Sequence, residues 1–181
     1  MGALQALAPE HVAYGGTASK TLAPGLRIGW LVLPHGLLEP VAELRDLEDR
    51  HVPALEQLAF TEFLTSGAYE RHIRRMRIRY RARRDKLMAM LATRAPSLTP
   101  VGISAGLRVL LELPAGGASA AELAEQAARR SIELWPVGPF SHGSPPRRDG
   151  IVLGYGALPE HDFEAGLRAL GDVLEASLGR S

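Results

Sequence analysis

The sequence predicts an α/β fold, and three observations lead to that prediction. Short apolar runs that end at a proline or a glycine, as strands do, occur at 28–34, 107–113 and 151–156. Stretches whose apolar side chains recur at helical spacing lie between these runs. Hydrophobic residues make up 46% of the 181 residues, which is enough for a packed core.

The first third of the chain is predicted to hold one strand and two helices. Residues 28–34 are predicted to form a short buried strand that ends at a proline. Residues 37–49 are predicted to form an amphipathic helix, with an apolar side made of Leu37, Val41, Leu44 and Leu47. A second helix begins at Pro53 and stops at Ser66 and Gly67, and it is expected to bury Ala54, Leu58 and residues 60–64.

A long basic helix is predicted next, over residues 69–93, before the boundary marked by Pro96 and Pro100. It carries nine cations, at Arg71, Arg74, Arg75, Arg77, Arg79, Arg81, Arg83, Arg84 and Lys86. Such a face can attract nucleic-acid phosphates, although no aromatic stacking set or recognition motif accompanies it. A helix that connects two subdomains is the simpler interpretation.

The second half of the chain alternates strands and helices and is predicted to form a small α/β unit. Strands are predicted at 107–113, 132–137 and 151–156, with a loop rich in proline, glycine and serine at 140–149. A helix at 119–130 starts with a capping box made of Ser119 and Glu122. The closing helix, 159–178, is expected to bury Phe163, Leu167, Leu170 and Leu174.

Several classes of protein are excluded or disfavoured by composition. The chain has no cysteine, so disulfides and thiolate chemistry are absent. No apolar run reaches the length of about 18 residues that a membrane span needs, and residues 1–10 do not resemble a secretion signal. We therefore expect a cytoplasmic protein without membrane contact. The six histidines show no metal-ligand spacing, so no metal site is predicted.

The segment 16–30 carries the most specific chemical signal in the chain. Lys20 follows two small hydroxyl residues, Thr17 and Ser19, and a Pro-Gly turn separates it from Arg27. A lysine amine can form a Schiff base with a carbonyl, and a forked guanidinium can hold a phosphate with two hydrogen bonds. Hydroxyl groups can donate to the same anion. Together these groups meet the requirements of pyridoxal phosphate.

Two other readings of this segment fit less well. A phosphate-binding P-loop would need glycine at the positions of Tyr14 and Ser19, where the backbone must wrap around the phosphate. An acylating Ser-Lys pair has no partner motif in the chain and would leave Arg27 without a role.

Residues 19–30 closely resemble the active-site lysine region of fold type I pyridoxal-phosphate enzymes, the class I/II aminotransferases. The version here is similar to that of MocR-type regulators of the GntR superfamily, which join a winged helix-turn-helix to an aminotransferase-like domain. The basic stretch 72–85 resembles the signature helix of the same regulators, and 105–113 and 153–156 match their C-terminal domain in order. The resemblance covers essentially the whole chain.

The resemblance implies the C-terminal portion of the fold type I fold. Its parts would be the end of the large domain at 1–68, the connecting helix at 69–96 and the small α/β domain at 97–181. It also implies that Lys20 carries pyridoxal 5'-phosphate as a Schiff base, that Arg27 holds the cofactor phosphate, and that Thr17 and Ser19 support it. Lys20 would be the catalytic residue in a working transaminase.

One departure bears on substrates. Aminotransferases that resemble this chain carry an arginine that grips the substrate carboxylate at the position of Val152, and valine cannot do so. Arg147 and Arg148 lie nearby in a loop, and Arg108 on a neighbouring strand is another candidate. Amino-acid transamination is therefore disfavoured.

The second departure is the position of Lys20 near the start of the chain. The residues that hold the cofactor ring in related proteins, and any DNA-binding module, would lie upstream of Met1, so we expect a C-terminal fragment. The leading hypothesis is that the chain belongs to the effector domain of a dimeric transcriptional regulator and captures an amino compound. The regulator would bind DNA only through an N-terminal winged helix-turn-helix. A fragment of a catalytic class I/II aminotransferase and a non-catalytic dimerisation module remain alternatives.

Overall fold

The protein is described by a computed structural model that covers residues 2–51, 53–102, 106–140, 149–156 and 159–178. It divides into an N-terminal unit, Met1–Arg75, and a C-terminal unit, Met76–Ser181. No helix in these described ranges is both long enough and apolar enough to cross a bilayer. Groups of three or more acidic or histidine side chains that could hold a metal ion are also missing from the described part of the chain.

The described residues of the N-terminal unit form a two-stranded antiparallel sheet, three α-helical segments and three short 3-10 turns. Strand β1 (Tyr14–Thr17) pairs with strand β2 (Gly29–Val32), so that Gly16 lies opposite Trp30. A methyl group at Gly16 would overlap the indole ring, which explains the need for glycine there. Helices α1 (Leu38–Glu48) and α2 (Ala54–Thr65) follow, and α3 (Ala68–Arg94) starts in this unit and continues into the next.

The burial predicted for the N-terminal unit is wrong. Neither α1 nor α2 buries any residue, and Leu44, Leu47 and Leu58 are 63%, 82% and 66% exposed. Every residue of β2 is exposed, although Ile28 just before it is buried. The helical spacing of the apolar residues is correct, but a two-stranded sheet within this unit offers too little surface to cover them.

The C-terminal unit is built on a four-stranded antiparallel sheet. Its strands are β3 (Thr99–Val101), β4 (Arg108–Glu112), β5 (Trp135–Pro136) and β6 (Gly150–Gly154), in the order β3-β4-β6-β5. Pro100 and Pro136 both lie on edge strands, where a residue without an N–H group removes no hydrogen bond from an inner ladder. Helices α4 (Ala120–Ala128) and α5 (Glu160–Leu178) complete the unit.

One face of this sheet forms the hydrophobic core, as strand alternation requires. Val109, Leu111 and Ile151 are almost completely buried, and they pack with side chains of the helices. The predicted apolar face of α5 is confirmed, since Phe163, Leu170 and Leu174 are buried and Leu167 packs against the same core.

The capping box at the start of α4 is also confirmed. The Ser119 hydroxyl accepts a hydrogen bond from the Glu122 N–H at 3.3 Å, and the Glu122 carboxylate accepts one from the Ser119 N–H at 2.8 Å. These bonds to Ser119 lower the pKa of Glu122, because they favour its ionised form.

Two strands differ from the sequence predictions. Strand β5 covers only Trp135–Pro136 of the predicted 132–137, and β3 was not predicted, because its three residues include a proline. The long helix extends by a residue at each end, to Ala68–Arg94. Most of the predicted loop 140–149 lies outside the described residues.

Arg83 of α3 is the buried charged residue of the described core, at 2% exposure. Its Nη1 donates to the carbonyl of Gly156 at 3.2 Å, and its Nη2 donates to Glu160 Oε2 at 2.9 Å. The guanidinium carbon also lies 4.9 Å from the centre of the Phe163 ring. Arg83 therefore joins α3 to the end of β6 and to the first turn of α5.

Candidate functional site

The candidate lysine lies in the connection between β1 and β2. The N–H of Ala18 donates to the carbonyl of Ile28 at 2.9 Å and closes this connection directly beyond the last strand pair, Thr17 with Gly29. Ala18 and Ile28 are buried, whereas Lys20 and Arg27 are exposed. The two cations thus belong to one loop whose ends are fixed to each other. We call residues 18–28 the lysine loop.

The predicted hydroxyl residues stand at the start of the lysine loop. The Thr17 hydroxyl donates to the carbonyl of Ile28 at 3.2 Å and accepts from the N–H of Ser19 at 3.1 Å. Its proton is therefore already used, and an anion near Thr17 would need that bond to rearrange. The roles of Thr17 and Ser19 in cofactor binding stay predictions.

Two residues of α3 hold the lysine loop in place, and sequence analysis did not find them. His72 Nε2 lies 2.8 Å from the carbonyl oxygen of Thr21, and the Tyr69 hydroxyl donates to the Thr21 hydroxyl at 3.1 Å. Because a carbonyl can only accept, His72 carries its proton on Nε2 in this contact. No local spacing signals these contacts, since the partners are far apart in sequence.

An aromatic cluster supports the same side of the loop. Phe63 lies edge-on to Tyr69 and tilted against His72, with ring centres 6.1 and 6.3 Å apart. Phe60 lies between Tyr69 and Trp30, at 5.7 and 6.2 Å. These contacts tie α2, α3 and β2 together and orient the two side chains that bind Thr21.

Lys20 is the lysine that is available for chemistry. The sequence holds two lysines, Lys20 and Lys86. Lys86 is ion-paired with Glu164, whereas Lys20 Nζ has no hydrogen-bond or ion-pair partner among the described residues. The Arg27 guanidinium is also unpaired within the described part of the chain. One loop therefore presents a free amine and a free bidentate cation, which is a donor set that fits an aldehyde bearing a phosphate.

Arg27 has a left-handed backbone, with φ 50° and ψ 31°. It follows the short helical turn Pro24–Leu26, at a position where glycine is usual because a Cβ atom costs energy there. Strain of this kind persists where surrounding structure or function requires the side chain. The strain is consistent with a role for the Arg27 side chain that glycine could not fill.

We expect Arg27→Gly to stabilise the N-terminal unit and to weaken phosphate binding. Relief of the left-handed strain should raise the free energy of unfolding by about 0.5–1 kcal/mol. Urea unfolding followed by Trp30 fluorescence measures stability, in a Trp135→Phe background, and pyridoxal-phosphate titration measures binding. Arg27→Lys is the control, because it keeps the Cβ atom and the charge. Lower stability of the glycine variant would contradict the strain argument.

The candidates for a substrate carboxylate lie in the C-terminal unit. Val152 is half-buried on β6 and pairs with Leu110 on one side and Trp135 on the other. Arg108 is exposed on β4, opposite Gly154. Arg147 and Arg148 lie outside the described residues.

The chain is similar in sequence to regulators and to transaminases, although no protein-family model matches it. It is 34% identical over 169 residues to the uncharacterized HTH-type transcriptional regulator YhdI of Bacillus subtilis. This match covers 92% of the chain and 36% of the relative. It is 31% identical to the probable rhizopine catabolism regulatory protein MocR of Rhizobium meliloti, over 88% of the chain and 32% of that relative. It is also 31% identical to 2-aminoadipate transaminase of Thermus thermophilus, over 92% of the chain and 42% of that enzyme. The chain thus spans well under half the length of these relatives.

Solved structures with the same fold include aminotransferases. The α-aminoadipate aminotransferase LysN of Thermus thermophilus, solved with N-(5'-phosphopyridoxyl)-L-leucine, superposes with a TM-score of 0.83 at 28% identity. The match covers 98% of this chain and 46% of that one. A multiple substrate aminotransferase of Thermococcus profundus gives a TM-score of 0.77 at 25% identity, over 94% of this chain and 42% of that one.

Proposed function

We propose that this chain is part of a transcriptional regulator. The premise is that the chain belongs to the aminotransferase-like family of fold type I and corresponds to its C-terminal portion. In this proposal it is part of an effector domain that binds pyridoxal 5'-phosphate on Lys20. DNA binding would reside in a helix-turn-helix module of the full-length regulator, and the working form would be a homodimer.

The observation that carries the proposal is the chemistry of the lysine loop. Its free amine and free guanidinium lie on a loop that Ala18 and Ile28 close and that Tyr69 and His72 hold from α3. A solvated surface lysine would not require such support from a second element. The relation to the LysN structure, which holds a phosphopyridoxyl adduct, supports the identity of the cofactor.

Each residue has a defined task in this proposal. Lys20 Nζ would hold the cofactor through its aldehyde carbon, and Arg27 would bind its phosphate through two N–H donors. Ser19 and Thr17 supply hydroxyl groups beside the phosphate. When bound, pyridoxal phosphate would supply an electron-withdrawing ring and an electrophilic carbon that the amino group of an amino compound can attack.

A regulator is favoured over an amino-acid transaminase for two reasons. Several of the most similar sequences are HTH-type transcriptional regulators, among them YhdI and MocR. Val152 also offers no charge for a substrate carboxylate at the position where transaminases are expected to carry arginine. The similarity to 2-aminoadipate transaminase keeps a catalytic function as the second candidate.

Reductive trapping tests the proposal directly. The protein is incubated with pyridoxal phosphate, reduced with borohydride and digested with trypsin. A reduced adduct on Lys20 blocks cleavage there and leaves residues 1–27 in one labelled peptide, because Arg27 is the first arginine. Labelling at Met1 alone would instead leave Lys20 open to trypsin. Label found only on Met1 or on the peptide with Lys86 would refute the proposal.

A further inference from the structure

The structure separates the cations of α3 by their partners. One set binds α5, since Arg79 and Arg83 are both ion-paired with Glu160, and Lys86 is ion-paired with Glu164. These cations lie on the side of α3 that packs against α5, and acidic side chains of α5 neutralise them. The sequence alone does not distinguish them from the other arginines of the helix.

A second set lies on the other side of α3. Arg74, Arg77 and Arg81 are exposed, and none of the described residues accepts a hydrogen bond from their side chains or forms an ion pair with them. At 100° of turn per residue, the three lie within about 60° of one another on the helix surface, opposite the buried Arg83. We call Arg74, Arg77 and Arg81 the arginine stripe.

The arginine stripe is unfavourable for the helix that carries it. Arg77 lies three residues after Arg74 and four before Arg81, and like charges at these spacings destabilise a helix. Glu70 and Asp85 flank the two ends of the stripe, but no carboxylate lies between Arg74 and Arg81. The repulsion is therefore not relieved within the stripe, and an external anion would relieve it.

The residue types of the stripe favour phosphates of duplex DNA over other anionic partners. Forked guanidinium groups match the geometry of phosphate oxygens. Ile78 is the one large exposed apolar residue in 71–85, so this face lacks the apolar side with which a helix enters a membrane surface. It also lacks the exposed aromatic residues on which single-stranded bases stack. The stripe spans about 10 Å of helix axis, and duplex DNA of that length carries about six phosphates.

We propose that the arginine stripe is a sequence-independent contact surface for the phosphate backbone of double-stranded DNA. Each guanidinium donates hydrogen bonds to phosphate oxygens, and no base is read. In a full-length regulator this contact would add to that of a helix-turn-helix module, which would supply the sequence specificity. The inference goes beyond the proposed function, because it requires neither Lys20 nor pyridoxal phosphate.

Fluorescence anisotropy of a short labelled DNA duplex of arbitrary sequence tests the stripe. The net charge of the chain is only +1, so its overall attraction for a polyanion is small. We expect a dissociation constant on the order of 10 μM at about 50 mM salt. Three phosphate contacts predict that the logarithm of the association constant falls with the logarithm of salt concentration at a slope of about −2.7. Binding should therefore weaken about 40-fold between about 50 and 200 mM salt.

Two triple variants remove the same charge from different surfaces. The stripe variant combines Arg74→Gln, Arg77→Gln and Arg81→Gln. It should bind at least about 10-fold more weakly at low salt, and its midpoint of urea unfolding should rise, because glutamine keeps the helix propensity and removes the repulsion. The control removes three exposed arginines elsewhere in the C-terminal unit, by Arg129→Gln, Arg130→Gln and Arg168→Gln. It should bind as the unmodified chain does. Arg81→Gln alone should make the salt slope less negative by about 0.9.

Three outcomes would overturn the proposal. The first is unchanged binding in the stripe variant. The second is equal weakening in the two triple variants, which would mean that binding follows net charge and not the stripe. The third is stronger competition by polyglutamate than by unlabelled duplex at equal charge concentration, which would assign the stripe to an acidic protein segment. Lys20→Ala should bind the duplex normally, so failure of Lys20 to bind pyridoxal phosphate would not affect these measurements.

Discussion

Replacement of Lys20 by alanine is expected to abolish the visible absorbance band that a lysine Schiff base of pyridoxal phosphate gives. The loss should be complete, because the covalent bond requires a primary amine at this position. The measurement is a titration of each variant with pyridoxal phosphate, followed by absorbance. Lys20→Arg tests charge separately, since it keeps the cation but forms no such Schiff base.

The chain offers an unusually clean control for this result, because Lys86 is its only other lysine. Lys86 is about half exposed and ion-paired with Glu164, so its amine is engaged although solvent reaches it. We expect Lys86→Ala to keep the full band. A band that survives in Lys20→Ala but disappears in Lys86→Ala would assign the cofactor to α3 instead of the lysine loop and refute the proposed function.

Replacement of Arg83 by methionine is expected to lower the free energy of unfolding of the C-terminal unit by about 2–3 kcal/mol. Methionine fills much of the same volume, but the carbonyls of Tyr155 and Gly156 lose their charged donor. Glu160 is 56% exposed and keeps Arg79 as a partner, so the loss stays below that of a fully buried ion pair. Urea unfolding followed by Trp135 fluorescence, in the Trp30→Phe background, measures the change.

Arg79 provides the matched comparison, since it donates to the same oxygen, Glu160 Oε2, at 2.7 Å. Its side chain is 41% exposed, whereas that of Arg83 is 2% exposed. Both arginines lower the pKa of Glu160, with the hydrogen bond from Arg79 as the largest cause, because each stabilises the ionised carboxylate. Arg79→Met should nevertheless cost at most about 1 kcal/mol, as exposed ion pairs do. Equal losses in the two variants would show that the buried contacts of Arg83 do not stabilise the unit.

Features that depend on neighbouring residues could be predicted from the sequence. The capping box of Ser119 and Glu122, the apolar face of α5 and the span of the long helix all follow from spacing along one helix. The lysine loop could also be identified, because its residue types occur in a short and ordered string. These features need no knowledge of what packs against them.

Features that depend on distant residues could not be predicted. Strand β1 contains two glycines and becomes recognisable only through its pairing with β2. The contacts of Tyr69 and His72 with Thr21 join residues far apart in the chain. The predicted burial of α1 and α2 was wrong for the same reason. The spacing of apolar residues shows which face of a helix is hydrophobic, but it does not show whether another element packs against that face.

The exposed leucines of α1 and α2 have a consequence for the energetics of any ligand at Lys20. The heat capacity of unfolding rises with the apolar surface that becomes exposed. Most of this heat-capacity change therefore comes from the C-terminal unit, because that unit holds the buried core. A region with few buried apolar contacts opens locally at low free-energy cost. Any contact that covers the leucines of α1 and α2 would lower the fraction of molecules in which the N-terminal unit has opened, and it would therefore strengthen ligand binding without touching the ligand.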